Sequence, residues 1–280
     1  MAVDKHKRDR LGIEFNSIAM TQHAMFTIIR YILLTASRDW LFIGLFIAIA
    51  MAYGLSVFTG STALTEQSHM ALALFGGSSR AVLIVGLVVF VCFHVRRAFE
   101  QREIESLLSK PLSRTHIVIG YWIGLSLLSI IMVIPVVAMM LLALANVNLT
   151  GLFFWASSMA CEITLVVAFA LLSSLILSSA VTSVLATFGF YILSRLMGFF
   201  VAAMDNPGNM LGNGKLGSIM MQGLEIISTV IPRLDLYAKS EWLVYGTASA
   251  TDIWIYPVQT LVFVCLLLAM AVFDFKRKEF

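Results

Sequence analysis

The chain has 280 residues, of which 60% are hydrophobic and 12% charged, with a mean hydropathy of +0.92 and a net charge of +3. An ordinary soluble domain carries about a quarter charged residues, so this composition excludes a soluble globular protein and indicates an integral membrane protein. Several apolar runs reach the ~18 residues that cross a hydrocarbon core, which predicts transmembrane helices. With so small a net charge, we expect no nucleic-acid partner.

The N-terminal region contains a charged stretch followed by an amphipathic pattern. No short apolar core with a cleavage site follows the charged start MAVDKHKRDR, so we expect no cleaved signal peptide. Between residues 15 and 38, apolar side chains recur at helical spacing and polar ones fall largely elsewhere. This pattern predicts an interfacial helix on the cytoplasmic membrane surface. The alternative is a simple extension of the first span.

Six apolar segments are predicted to span the membrane. They are Trp40 to Thr59, Val82 to Phe99, Ile117 to Ala145, Leu152 to Leu177, Val181 to Ala203, and Ile253 to Phe275. One helix over residues 152–203 would be about 78 Å long, more than twice the hydrocarbon thickness, so the chain must turn between the fourth and fifth segments. We expect the turn in the serine-rich stretch 173–183, because hydroxyl groups can satisfy freed backbone groups there.

The distribution of lysine and arginine predicts the orientation. Of the 19, six precede Trp40, five lie between Arg96 and Arg114, and three follow Phe275, all on one face of a six-span bundle. Cytoplasmic loops carry the excess of these residues. We therefore expect this face and both termini in the cytoplasm, in the inner (plasma) membrane of the cell.

The segment between the second and third spans, residues 97–115, is unusually charged. Residues 97–109 are good helix formers, with apolar side chains near one face and charged ones around the rest. Pro111 disfavours helix at Lys110, and a new helix begins near Thr115. We predict a short amphipathic helix, ended by a rigid corner, that can meet a soluble partner. The alternative is a solvated linker.

The run EIESLLSKPLSRTHIVIGYWIG, residues 103–124, resembles the corresponding stretch of ABC-2 type transporter permeases. The matching positions are Glu105, Leu107, Leu108, Ser109, Lys110, Pro111, Ser113, Arg114 and Gly120. Tyr121 stands where the family often has lysine, which is a departure from the family pattern. The segment IPRLDLY, residues 231–237, and the C-terminal FDFKRKEF are also similar to family segments, and the resemblance extends over essentially the whole chain.

The spans and the resemblance agree on one all-α membrane domain over residues 1–280. It has six transmembrane helices, an interfacial helix in 15–38, a cytoplasmic coupling helix in 97–115 between spans 2 and 3, and short outer helices in an extracytoplasmic segment, 204–252, between spans 5 and 6. The helical patterns of that segment cover residues 218–231 and 232–246, and their apolar residues suit helices that lie on or dip into the outer leaflet. In the family, the coupling helix rests in a cleft of a cytoplasmic ATP-binding subunit. The resemblance assigns ATPase coupling to Glu100, Arg102, Glu103, Glu105, Lys110, Pro111 and Arg114.

The expected function is that of a permease subunit of an ATP-driven ABC transporter of exporter type. The nearest candidate for a phosphate loop, GNMLGNGKLGS, has the wrong glycine spacing, and Leu216 follows Lys215. We therefore predict no enzyme activity and no cofactor in this chain, with ATP and Mg²⁺ on the partner ATPase subunit. One copy has too few spans to enclose a two-fold pathway, so a homodimer is expected, with a heterodimer as the alternative. A different function would be a non-transporting scaffold or mechanotransmission subunit that acts on lipid or envelope proteins.

Two charged residues, Glu162 and Arg195, fall well within predicted spans, away from their ends. Each costs about 2.5 to 3.5 kcal/mol at a helix centre when unpaired. On antiparallel neighbours they would lie within about one helical turn in depth, so we predict an ion pair between them. The pair either lines the substrate path or a dimer-interface gate, or merely joins two helices. His69, His94, His116 and the three cysteines show no metal-binding spacing, and we place His69 in the outer loop before Arg80.

Overall fold

The structure is a computed structural model that describes most of the chain. The described residues are 25–36, 38–63, 66–101, 113–143, 147–205, 223, 231–246 and 250–277. They form helices and no strand. In chain order these are α1 (Met25–Ala36), α2 (Trp40–Ser61), α3 (Gln67–Glu100), α4 (Arg114–Ala143), α5 (Leu149–Ile176), α6 (Ala180–Asp205), a 3₁₀ helix (Leu234–Leu236), α7 (Ser240–Tyr245) and α8 (Ala250–Arg277).

Six of these helices are long and apolar enough to cross a membrane, namely α2, α3, α4, α5, α6 and α8. The predicted all-α architecture with six spans is therefore confirmed. We call the end of the bundle that holds Glu100 and Arg114 the inner end, and the end that holds Gln67 and Leu149 the outer end. These names follow the orientation predicted from the charges.

The second span begins earlier than predicted. The apolar run suggested a start at Val82, but α3 begins at Gln67, so His69 and Arg80 lie on a helix and the prediction of an outer loop there was wrong. Serines and Arg80 lower the mean hydropathy of this stretch. Its buried positions nevertheless recur at helical spacing, at Leu72, Phe75, Ser79 and Leu83. The spacing of apolar residues marks the start of this helix better than average hydropathy does.

The turn between the fourth and fifth spans lies where the sequence predicted it. The helix α5 ends at Ile176 and α6 begins at Ala180, inside the serine-rich stretch. Hydroxyl groups then join the two helices, since Ser173 Oγ and Thr187 Oγ1 lie 3.0 Å apart and Ser183 Oγ donates to the Ser173 carbonyl at 3.3 Å. Such bonds satisfy polar groups that hydrocarbon cannot, and they hold the hairpin together.

The helix α5 forms the centre of the bundle. In its most apolar stretch 72% of the residues are buried, against 22% in α2 and 17% in α6. It packs against α3, α4, α6 and α8. The helices α2 and α6 therefore lie at the perimeter.

The helix α1 packs on the first half of α4 through a pair of glycines. Ile28 and Ile32 are buried there. A Cβ atom built on Gly124 would lie 2.8 Å from Ile32 Cδ1 and 3.4 Å from the Ile29 Cα, and one on Gly120 would lie 3.5 Å from Ile28 Cδ1. Small residues four positions apart let two helix backbones approach closely. The location of α1 at the membrane surface stays a prediction, and residues 1–24 lie outside the described part.

The segment between α6 and α8 packs into the outer end of the bundle. We call its described residues, 231–246, the outer loop. The predicted helix over residues 218–231 lies outside the described residues apart from residues 223 and 231. The predicted helix over residues 232–246 is broken into the 3₁₀ helix and α7, with Ala238 between them at a φ of +45°. Because Leu234 and Trp242 are buried inside the protein, the outer loop does not lie on the lipid surface.

Candidate functional site

The predicted coupling segment, residues 97–115, is described only at its two ends. Residues 97–100 continue α3, Gln101 follows its last residue, and α4 begins at Arg114. The other predicted coupling residues lie outside the described residues, and these are Arg102, Glu103, Glu105, Lys110 and Pro111. Their role and the coupling helix itself stay predictions.

Glu100 ends α3 with an exposed carboxylate. Arg96 Nε donates to Glu100 Oε1 at 3.3 Å, and 64% of the Glu100 side chain is exposed. An ion pair four residues apart on an exposed helix surface contributes only about 0.3–0.5 kcal/mol. Glu100 can therefore exchange this contact for one with a partner at little cost.

Arg114 attaches the end of the coupling segment to the last span. Its Nη1 donates to the carbonyl oxygens of Phe275 and Lys276, at 3.1 and 3.2 Å. The last carbonyls of a helix lack intrahelical partners and carry its negative dipole end, so a guanidinium stabilises the end of α8. Ser113 precedes α4, and the His116 N–H donates to its hydroxyl at 3.4 Å, as in an N-cap.

Glu162 and Arg195 lie together between α5 and α6. Arg195 Nη1 is 3.7 Å from Glu162 Oε1, and Tyr191 donates its hydroxyl to the same oxygen at 3.2 Å. The Glu162 side chain is fully buried, and its Oε2 has no hydrogen-bond partner among the described residues. Removing one partner of a buried ion pair typically costs about 3–5 kcal/mol, because the other charge is left uncompensated.

Arg80 is a third charge in this cluster, and the sequence interpretation missed it. Its guanidinium and that of Arg195 both act electrostatically on the Glu162 carboxylate. Arg80 Nη1 also donates to the carbonyl oxygen of Ala238 in the outer loop, at 3.0 Å. The signal that could have found it is the helical spacing of buried residues before Val82, which places Arg80 on α3.

The outer loop is bonded to the inside of the bundle through backbone and side chain. The Ala238 N–H donates to Ser158 Oγ at 3.0 Å, and the Tyr237 hydroxyl donates to the Tyr256 carbonyl at 2.9 Å. Tyr237 is fully buried, and its hydroxyl also lies 2.9 Å from Thr260 Oγ1. Burial raises the pKa of the Tyr237 hydroxyl, so it stays protonated and keeps donating.

The cluster can hold helices in position. It brings together one carboxylate, two guanidiniums, hydroxyl groups and backbone carbonyls from α3, α5, α6 and the outer loop. Within the described ranges no group of three or more His, Cys, Asp or Glu side chains could hold a metal ion. These contacts connect spans to one another and to the outer loop.

Comparison with known proteins supplies the family. The model of a family described as ABC-2 family transporter protein matches residues 95–280, which run from the inner end of α3 to the end of the chain. No curated protein matches the chain. Residues 1–94, over which the sequence resemblance also extends, lie outside the family match. Since the match covers well over half of the chain and four of the six spans completely, this multi-pass membrane protein belongs to the ABC-2 family and is a membrane permease of an ABC transporter.

Proposed function

We propose that this chain is the permease subunit of an ATP-driven transporter of exporter type, in the inner (plasma) membrane with both termini in the cytoplasm. A separate cytoplasmic ATPase subunit binds and hydrolyses ATP with Mg²⁺. Two copies of the permease form the functional unit, because a single chain with six spans has too few to enclose a two-fold pathway.

The observation that carries this proposal is the attachment of the coupling segment at its two ends. The segment follows the end of α3 at Glu100 and leads into α4 at Arg114, whose side chain holds the last carbonyls of α8. A stiff segment joined in this way to three spans would move their inner ends together when a partner displaces it. Such a connection suits a subunit that receives mechanical work from an ATPase.

The test begins with the native particle. The chain, carrying an affinity tag, is purified from its own membranes in mild detergent, its companions are identified by mass spectrometry, and ATP hydrolysis is measured. We expect an ABC ATPase subunit in a 1:1 ratio with the permease, and vanadate-sensitive hydrolysis. A particle with companions but no nucleotide-hydrolysing subunit would favour the scaffold function instead.

Charge-reversal variants test whether the coupling segment contacts the ATPase subunit. Glu103→Lys combined with Glu105→Lys should release the ATPase subunit, because charges across an interface fix partner choice and orientation. Glu66→Lys combined with Glu241→Lys is the matched control, with the same change in charge at the outer end. If the first variant retains the ATPase as well as the control does, these glutamates are not the coupling contact.

A further inference from the structure

The helix α1 carries two stripes of side chains on opposite sides. Ile28 and Ile32 are buried against the glycines of α4. Phe26, Arg30 and Leu34 also follow one another at four-residue spacing, and all three are exposed. A shift of two residues turns a helix by about 200°, so the second set faces away from α4. We call Phe26, Arg30 and Leu34 the outward stripe.

The outward stripe is suited to contact with lipid at the inner end of the bundle. Phe26 is 65% exposed and Leu34 is 52% exposed. The stripe lies beside the first half of α4, a span, and is turned away from it, as in helices that lie in the membrane interface. Trp40, shortly after the end of α1, is 83% exposed, and tryptophan is enriched where hydrocarbon meets the headgroups.

Two guanidinium groups accompany these apolar side chains. Arg30 lies about one helical turn before Leu34. Arg38 lies about one turn after it, where its N–H donates to the Thr35 carbonyl at 3.2 Å and extends the helical turn. Both arginines are exposed, and neither has an ion-pair partner among the described residues.

The neighbouring sequence supplies little negative charge to these arginines. Asp39 is the only acidic residue in 25–40, and its Oδ1 accepts the Leu41 N–H at 3.0 Å as the N-cap of α2. Residues 1–24 contain four Lys or Arg and three Asp or Glu, so they add to the positive charge. An anionic partner from outside the chain therefore fits this surface, and a phosphate group can accept two parallel hydrogen bonds from one guanidinium.

We propose that the outward stripe and Arg38 bind an anionic phospholipid of the leaflet at the inner end. Arg30 and Arg38 donate to the headgroup phosphate, while Phe26 and Leu34 lie against an acyl chain. Arginine suits this position, because its stem can lie along apolar surface while its charged end reaches the headgroups. The inference goes beyond the proposed function and does not depend on it, because such binding needs neither ATP nor a second subunit.

Lipid binding to the full chain in detergent tests this. The delipidated protein is titrated with phosphatidylglycerol or with phosphatidylcholine of the same acyl chains, and native mass spectrometry gives the affinity for each. The parent should prefer phosphatidylglycerol, which carries a net negative charge. Arg30→Gln with Arg38→Gln should lower that affinity about fivefold for each arginine, about 25-fold for both. The affinity for phosphatidylcholine should not change.

Three further variants locate the site. Lys276→Gln with Arg277→Gln removes the same charge from the same end of the bundle and should bind both lipids like the parent. Arg30→Lys with Arg38→Lys keeps the charge and should keep most of the preference for phosphatidylglycerol. Phe26→Ser with Leu34→Ser should weaken the binding of both lipids by the same factor, because the acyl contact does not depend on the headgroup. Thermal unfolding of each variant verifies that the bundle is folded.

Any of three results would overturn the inference. In the first, the glutamine variant binds phosphatidylglycerol as tightly as the parent; if a second copy of the chain covers the outward stripe instead, that variant also forms fewer dimers. In the second, the Lys276 and Arg277 variant loses as much affinity, so that overall charge and not this surface decides binding. In the third, inorganic phosphate displaces the lipid at equal concentration, which would indicate a site for free phosphate.

Discussion

Replacing Gly151 by alanine measures how tightly the outer loop is packed. Gly151 lies in the first turn of α5, where its N–H donates to the Asn148 side chain at 3.1 Å. A Cβ atom there would overlap the carbonyl oxygen of Trp242 and lie 3.2 Å from the Gly246 Cα. That carbonyl is held in place, because it accepts the Gly246 N–H at 3.1 Å. The loop must therefore move away from α5 as a unit.

The loss of unfolding free energy expected for Gly151→Ala lies between two limits. Forcing an extra methyl group into a well-packed core costs about 1–3 kcal/mol. The upper limit is full release of Trp242 and Leu243, which are 3% and 0% exposed. At about 1.5–3 kcal/mol for each large apolar side chain, that release costs about 3–6 kcal/mol. We expect the free energy of unfolding to fall by about 3 kcal/mol, where the two ranges meet.

The assay compares two glycine-to-alanine variants in the same detergent. Gly54 of α2 has no atom within 4 Å of a Cβ built on it. Gly54→Ala should therefore stabilise the protein by about 0.5–1 kcal/mol through helix propensity alone. Unfolding is followed by titration with SDS and by thermal scans of both variants and the parent. If Gly151→Ala unfolds at the same midpoint as Gly54→Ala, or above it, the loop is not packed against α5 in this way.

Three more outcomes are expected. Arg114→Ala should lower ATP hydrolysis by the purified complex about fivefold or more, because two hydrogen bonds to α8 are lost. Arg114→Lys should keep part of the activity. If Arg114→Ala hydrolyses ATP as fast as the parent, Arg114 does not connect the coupling segment to α8 in the working complex. Tyr237→Phe should cost about 1–2 kcal/mol of unfolding free energy in the SDS assay, and an unchanged midpoint would show that its hydroxyl bonds are not made. In a cysteine-free chain, a membrane-impermeant maleimide should label Glu241→Cys in intact spheroplasts but Gln101→Cys only after lysis; the reverse pattern would invert the orientation.

The spans were predictable because their defining properties, length and hydropathy, are read from consecutive residues. Hydrocarbon thickness sets helix length, and a continuous apolar run of twice that length must turn. The serine-rich stretch 173–183 then placed the turn, and the structure has it between Ile176 and Ala180. Counting residues inward along two antiparallel spans also placed Glu162 and Arg195 at similar depth. These inferences need only length, hydropathy and the cost of a charge in lipid.

The contacts of the outer loop were not predictable for a physical reason. Arg80 and Arg195 bind backbone carbonyls, and every residue has the same carbonyl, so the amino-acid types of the loop do not reveal these acceptors. Arg80 was also hidden by neighbouring serines, which lowered the hydropathy of the first turns of α3. The residue pattern of the segment IPRLDLY marked its importance through resemblance, but the geometry came only from the folded chain.

The short connection between α5 and α6 also bears on how the protein enters the bilayer. Only residues 177–179 separate the two helices, so they can leave the insertion machinery side by side. A helix that entered alone would carry an unpartnered carboxylate or guanidinium through hydrocarbon, at about 2.5–3.5 kcal/mol for each. Entry as a hairpin brings both charges in as a neutral couple. The tight turn thereby lowers a barrier in biogenesis as well as closing the folded bundle.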